Sequence, residues 1–151
     1  MNASRAVRVV IADDHATVLS AVVNVVEGEP GFEVVGSVGT GHEAVEVARE
    51  QRADLVLIDV QMPSGGAVAA AALTRLRPAP VVVAISGQTA ASTLEDLLLA
   101  GVTGFVTKGH AGTDLVEVLE RCARGEVVLA SPAAASALAS LVARAGRPSP
   151  T

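Results

Sequence analysis

Residues 53–63 read ADLVLIDVQMP, and this stretch decides how the rest of the chain is interpreted. Leu55 to Ile58 is an unbroken apolar run, which is typical of a strand buried on both faces of a parallel sheet. The run ends at a carboxylate, Asp59, and Pro63 with the glycines after it predicts a loop. Open α/β sheets bind ligands at the carboxyl ends of their strands, so Asp59 is a candidate site residue. Its alternative role is to cap the next helix.

The composition excludes several classes of protein. A chain of 151 residues is long enough for one domain with its own core, and a single cysteine, Cys122, excludes an internal disulfide framework. We find neither a signal-peptide pattern nor an apolar run near the roughly 18–20 residues of a membrane span, so we expect a cytoplasmic protein without membrane contact. A net charge of −5 and only two aromatic residues argue against broad nucleic-acid binding by this segment.

Strand and helix patterns alternate five times along the chain. The predicted strands are 7–12, 32–38, 54–59, 81–85 and 104–106, and the predicted helices are 15–27, 41–51, 67–76, 90–100 and 113–124. This alternation predicts an α/β domain over residues 1–125, with helices on both faces of a parallel sheet. Ser131 followed by Pro132 predicts one more helix, and we interpret residues 126–151 as a linker that contains it.

Polar side chains follow four of the predicted strands. They are Asp13 and Asp14 after the first strand, Asp59 after the third, Ser86 after the fourth and Lys108 after the fifth. Each could be a solvated loop residue or a cap. Because the carboxyl ends of parallel strands meet at one edge of a sheet, we expect a single cluster instead.

Three carboxylates in one cluster predict a small hard cation, and Mg²⁺ prefers oxygen ligands of this kind. With Mg²⁺ present, Asp59 could attack a phosphoryl group and form an acyl phosphate. Lys108 and Ser86 could then bind phosphate oxygens. Four other side chains could bind a metal through nitrogen or sulfur: His15, His42, His110 and Cys122. Their spacing in the sequence does not match that of a metal site, so we interpret them as surface or packing residues.

The sequence resembles the receiver domain of bacterial two-component response regulators over about residues 7–125. The resemblance lies in residues 11–15 (IADDH), residues 57–63 (LIDVQMP), Ser86 and residues 104–108 (GFVTK). It implies a flavodoxin-like (βα)5 fold, a doubly wound five-stranded parallel sheet of order 2-1-3-4-5. It also implies a signalling switch that catalyses only its own phosphorylation and dephosphorylation.

The same resemblance implies a role for each site residue. Asp59 would be the phosphoacceptor, Lys108 would bind phosphate, and Ser86 with Phe105 would form the switch pair. The implied ligands of Mg²⁺ are Asp13, Asp14, Asp59 and the backbone carbonyl of Gln61. An ordinary core aromatic is the alternative for Phe105.

The resemblance also implies partners, namely a sensor histidine kinase as phosphoryl donor and a second copy in a homodimer. The leucine run 97–99 and the face of the fifth helix could supply the dimer patch, unless these leucines belong to the core. Residues 13–15 (DDH) and 125–132 (GEVVLASP) resemble the NarL/FixJ (LuxR-type) subfamily. There a helix-turn-helix domain follows the linker, so DNA would be bound only through such a domain, which this chain lacks.

Three positions depart from the common receiver pattern. The loop at residues 63–67 looks one residue shorter than usual, Gly87 stands where alanine is usual, and Phe105 stands where tyrosine is common. No charged group is lost, so we expect phosphorylation to survive. The glycines put in question how rigid the loop is and how well phosphate couples to the far surface.

Other functions fit parts of the sequence. Gly39, Gly41 and Ala44 match the G-x-G-x-x-A fingerprint of dinucleotide-binding domains, with Asp59 as the downstream acid. That motif usually follows the first strand, and it leaves the other polar strand ends unexplained. A pseudo-receiver, with the same fold but no control by phosphate, is the second alternative. An Asp-dependent phosphatase would need a cap over its substrate, for which the chain has no room.

Overall fold

The structure is a computed structural model that describes residues 5–62, 66–87, 89–108 and 113–146. Its strands are β1 (Val7–Ala12), β2 (Phe32–Val38), β3 (Leu55–Asp59), β4 (Val81–Ser86), β5 (Gly104–Thr107) and β6 (Val128–Ala130). Its helices are α1 (Ala16–Glu27), α2 (Gly41–Gln51), α3 (Gly66–Thr74), α4 (Ala91–Ala100), α5 (Thr113–Ala123) and α6 (Pro132–Ala145). No helix among these residues is long and apolar enough to cross a bilayer.

All neighbouring strands are parallel, and their order is β2-β1-β3-β4-β5-β6. The predicted doubly wound parallel sheet is confirmed, but the predicted count of five strands is wrong. The sixth strand has only three residues, too few for a periodic pattern in the sequence. It forms because the outer edge of β5 offers backbone partners, with Phe105 opposite Leu129.

The core lies on both faces of the sheet, and β3 runs through its middle with all five residues buried. Alternate residues of a strand point to opposite faces. Val56 and Ile58 accordingly pack with α2, α3, α4 and α6, whereas Leu55 and Leu57 pack with α1 and α5. Burial on both sides explains why the β3 sequence is uniformly apolar up to Asp59.

Helix α6 packs on the domain. Ser131 caps it by accepting the Ala134 N–H at 3.2 Å, as the Ser-Pro pair predicts. Ala134 and Ala137 are buried in the same core cluster as the α4 leucines, and Arg144 pairs with Glu95 of α4. The segment interpreted as a linker thus adds a strand to the sheet and a helix to its α2/α3/α4 face.

Candidate functional site

The carboxyl ends of β1, β3, β4 and β5 meet at one edge of the sheet. Asp59 is the last residue of the central strand β3, between β1 and β4, and is only 1% exposed. Ala12 is paired with Ile58, so Asp13, the first residue after β1, lies beside Asp59. The sheet register therefore brings together side chains that are far apart in the sequence.

Asp59 is held by two hydrogen bonds. Its Oδ1 accepts the backbone N–H of Gln61 at 3.1 Å, and its Oδ2 accepts from Lys108 Nζ at 3.2 Å. The Lys108 N–H in turn donates to the Ser86 carbonyl at 2.7 Å, which ties the lysine to the end of β4. The Lys108 side chain is 26% exposed, so its ammonium lies between the buried carboxylate and solvent. A charge-assisted bond of this kind orients the Asp59 carboxylate.

The residues after β1 complete an acidic cluster. Asp13 is 3% exposed, and its Oδ1 accepts the His15 N–H at 2.8 Å. His15 Nδ1 lies 3.1 Å from an Asp14 oxygen and 3.4 Å from an Asp13 oxygen. Burial raises the pKa of Asp13 above its usual value, and the negative charge of Asp59 raises it further, although the His15 N–H and Lys108 oppose the shift.

His15 has two features. Its side chain is 61% exposed, as expected of a surface residue, but it also joins Asp13, Asp14 and Asp59 in a group whose possible ligand atoms all lie within 4.8 Å of one another, which its spacing in the sequence did not predict. Its position directly after Asp14 was the only available signal. The donors remain mainly carboxylate oxygens, two of them on buried side chains, and this set fits Mg²⁺ better than a metal that prefers nitrogen or sulfur.

The two proposed switch residues are both buried. Ser86 ends β4 at the same sheet edge as Asp59 and is 2% exposed. Phe105 lies on β5, paired with Ala84 on one side and Leu129 on the other, and packs in the core cluster that contains the α4 leucines and Ala134 of α6. Phe105 is thus placed to contact both α4 and the C-terminal segment.

The structure describes some of the positions that depart from the common receiver pattern and leaves others outside the described residues. Of the short loop at residues 63–67, residues 63–65 lie outside the described residues, whereas Gly66 and Ala67 begin α3. His110 also lies outside the described residues. At Gly87 an added Cβ would lie 3.7 Å from the Gln61 side chain, an ordinary van der Waals distance. A methyl side chain would therefore fit at position 87, so lack of space does not explain the glycine.

The fingerprint at residues 39–44 has a local structural explanation. Thr40 caps α2 by accepting the Glu43 N–H at 3.1 Å, and Gly41 and Ala44 are buried where α2 packs on the domain. Two other side chains that could bind a metal have other contacts: His42 pairs with Glu46 at 3.0 Å, and Cys122 is buried in the core. A helix cap, an ion pair and core packing account for these residues, and none of them belongs to the group around Asp59.

Asp13→Asn is expected to stabilise the metal-free protein against unfolding at neutral pH. Burial and Asp59 disfavour the charge, while asparagine keeps an acceptor for the His15 N–H. Because the folded-state pKa is raised, wild type loses stability relative to the variant as pH rises from the ordinary value of 3.8 through the raised pKa. Thermal unfolding in EDTA at several pH values measures this difference. Asp14→Asn, at a more exposed acid, is the control, and a less stable Asp13→Asn protein would contradict the prediction.

Comparison with known proteins agrees with this arrangement. A family model described as the response regulator receiver domain matches residues 9–120. The chain belongs to the response regulator receiver domain family. The solved receiver domain of the putative response regulator NarL from Mycobacterium tuberculosis is 31% identical, with a TM-score of 0.76 over 81% of this chain and 99% of that one.

Two relatives of this receiver domain are longer than this chain. Response regulator GacA of Pseudomonas viridiflava is 34% identical over 134 residues, which is 88% of this chain but 62% of GacA. The DNA-binding transcriptional activator DevR/DosR of M. tuberculosis is 29% identical over 95% of this chain and 67% of its own. A LuxR-family response regulator from Aurantimonas sp. SI85-9A1 has a TM-score of 0.80 at 26% identity, over 91% of this chain and 99% of that one. The chain thus spans about 62% of the length of the GacA relative.

Proposed function

We propose that this receiver domain is a phosphorylation-dependent switch in which Asp59 accepts a phosphoryl group. The observation that carries the proposal is the contact of 3.2 Å between Lys108 Nζ and Asp59 Oδ2, with Asp59 buried beside a second buried acid. A buried carboxylate with a nearby cation and an adjacent metal-ligand set has the parts that acyl-phosphate formation needs.

In the reaction, a carboxylate oxygen of Asp59 attacks phosphorus. The Oδ–P bond forms while the bond from phosphorus to the donor's leaving group breaks, and the leaving group departs with the electron pair. Lys108 moves its hydrogen bond from the carboxylate to a phosphoryl oxygen. Asp13, Asp14, Asp59 and the Gln61 carbonyl would hold Mg²⁺, which when bound offsets the negative charge on the transferred group.

Ser86 and Phe105 would transmit the effect of phosphorylation from Asp59 to the rest of the domain. The Ser86 hydroxyl donates a hydrogen bond to the phosphoryl group, and the movement of β4 and its loop changes the space around Phe105. Phe105 packs against α4 and lies opposite Leu129 of β6, so the C-terminal segment would respond together with α4. Such a response is a shift between two populated states.

Ser86→Ala is expected to accept phosphate normally but to transmit it poorly. Because a hydrogen bond to a charged group contributes about 1.5–3 kcal/mol, its loss should reduce the phosphate-dependent gain in self-association about tenfold or more. Sedimentation with and without phosphorylation measures that gain. Ser37→Ala, at an exposed residue of β2, should behave as wild type. A Ser86→Ala protein with the full gain would remove Ser86 from the switch.

The wider assignment is a transcriptional regulator of the NarL/FixJ (LuxR) type, with a sensor histidine kinase as donor and a second copy as partner. The relatives that are a DNA-binding transcriptional activator and a LuxR-family response regulator support the regulator type. Residues 126–151, which supply β6 and α6, would connect this receiver domain to a DNA-binding domain. For the dimer, Leu97 is in the core, whereas Leu99, Val127 and Val142 are exposed around one apolar groove of about 630 Å³ between α4 and α6.

The decisive test is phosphorylation of the purified chain. After incubation with Mg²⁺ and acetyl phosphate, the intact mass should increase by one phosphoryl group, and EDTA should prevent the increase. Peptide mapping should place the group on Asp59. A folded protein that binds Mg²⁺ but never gains mass would be a pseudo-receiver, an interaction module with the same fold.

A further inference from the structure

The described cationic side chains fall into two groups, those with a carboxylate partner and those without one. Ten of the eleven cationic side chains lie in the described part of the chain, and six of them form an ion pair with a carboxylate: Arg5, Arg8, Lys108, Arg121, Arg124 and Arg144. Among the described residues, the four without a carboxylate within 4.0 Å are Arg49, Arg52, Arg75 and Arg77. Arg49 and Arg52 lie at the end of α2, and Arg75 and Arg77 follow the end of α3.

Three of the four surround one cavity. Arg49, Arg52 and Arg77 line a space of about 360 Å³ together with Ala48, Leu76 and Pro78. The cavity lies between the α2–β3 and α3–β4 connections, so it is at the amino ends of the strands. It is on the sheet edge opposite to the one that carries Asp59.

Helix capping explains only part of this cluster. Arg49 is in the last turn of α2, and Arg77 donates to the carbonyls of Thr74 and Leu76 at 3.3 and 2.9 Å, as cations at helix C-termini commonly do. Arg52 is different, since its backbone is left-handed, with φ 51° and ψ 56°. Glycine would adopt this conformation without strain, so the backbone gives no reason for an arginine side chain here.

The cluster is electrostatically incomplete. Three guanidinium groups around one cavity repel one another, and no acidic residue of the described ranges lines the cavity to balance them, although the chain carries a net charge of −5. Guanidinium groups form paired hydrogen bonds with phosphate oxygens, and their planar faces stack on rings. Leu76, Ala48 and Pro78 provide an apolar wall for the rest of a ligand.

We propose that this arginine cavity binds an organic phosphate of about nucleotide size. Its volume lies in the range of about 300–1,000 Å³ that small-molecule sites occupy. The phosphate groups would face Arg49, Arg52 and Arg77, and the organic part would lie on Leu76 and Pro78. This would be a second ligand site, on the opposite edge of the sheet from the acidic cluster.

Calorimetric titration of the full chain tests the proposal, with ADP as the probe and EDTA present so that the acidic site holds no metal. We expect saturable binding of one ADP, weaker binding of pyrophosphate and none of adenosine. Affinity should fall as salt is raised, because the contacts are between exposed charges. The Asp59→Asn protein should bind ADP as tightly as wild type, since its change is at the other edge. Absence of saturable ADP binding, or its loss in Asp59→Asn, would overturn the proposal.

Arginine variants test whether ADP binds in the arginine cavity. Arg49→Gln/Arg77→Gln should bind ADP about tenfold or more weakly, because two charge-assisted contacts are lost. The control Arg121→Gln/Arg124→Gln has the same net charge and should keep the affinity. Arg52→Gly separates binding from stability: glycine suits the left-handed position, so ADP should bind more weakly while the unfolding temperature is unchanged or higher. Equal ADP affinity in wild type and the Arg49/Arg77 variant would refute the assignment.

Discussion

Asp59→Asn should abolish Mg²⁺-dependent phosphoryl incorporation, and this is the largest functional effect we expect. The amide cannot act as the oxygen nucleophile that forms an acyl phosphate. It keeps nearly the same shape and an oxygen that can accept the Gln61 N–H, so the local fold should survive. Intact mass over the course of an acetyl phosphate reaction measures the loss, with a rate at least about 10²-fold below wild type.

The control for this experiment is Asp96→Asn. Asp96 is an exposed acid on α4, so the variant makes the same change in charge away from the acidic cluster. It should incorporate phosphate at the wild-type rate. Full incorporation by Asp59→Asn would identify a different acceptor, and Asp13 and Asp14 would be the first to examine because they lie in the same cluster.

Gly104→Ala should be among the most damaging single changes to stability. A Cβ on Gly104, the first residue of β5, would lie 2.6 Å from Cys122 Sγ and 2.9 Å from a methyl carbon of Val83. Both neighbours are fully buried, so α5 or β4 must shift to make room. Overpacking of this kind costs about 1–3 kcal/mol, which in a chain of this size lowers the unfolding temperature by about 2–12 °C.

Two further variants make the stability test specific. Gly31→Ala adds the same methyl group where nothing lies within 4 Å, so it should leave the unfolding temperature nearly unchanged. Cys122→Ala in the Gly104→Ala background removes the closest atom and should recover part of the loss, which a double-mutant cycle measures. If Gly104→Ala and Gly31→Ala unfold at the same temperature, the packing of β5 against α5 is not as described.

Most of the fold could be predicted because its signals are local. The apolar run of β3, the helical spacing of α1 and the caps at Thr40 and Ser131 each depend on neighbours within a few residues. The observed helix ends differ from the predicted ones by only one or two residues. The short strand β6 was missed because its partner, β5, is distant in the sequence and supplies the backbone bonds that stabilise it.

Part of the candidate site could also be predicted from the sequence, and part of it could not. The sequence determined which polar residues end the strands, and the parallel topology was enough to predict that Asp13, Asp59 and Lys108 approach one another. Only the tertiary structure decided that His15 turns its ring to the two acids and that α6 packs on α4. The same is true of the three arginines that share one cavity. The α6–α4 packing and the arginine cavity join segments whose separation in space depends on the packing of side chains across the whole domain, and no local pattern encodes that packing.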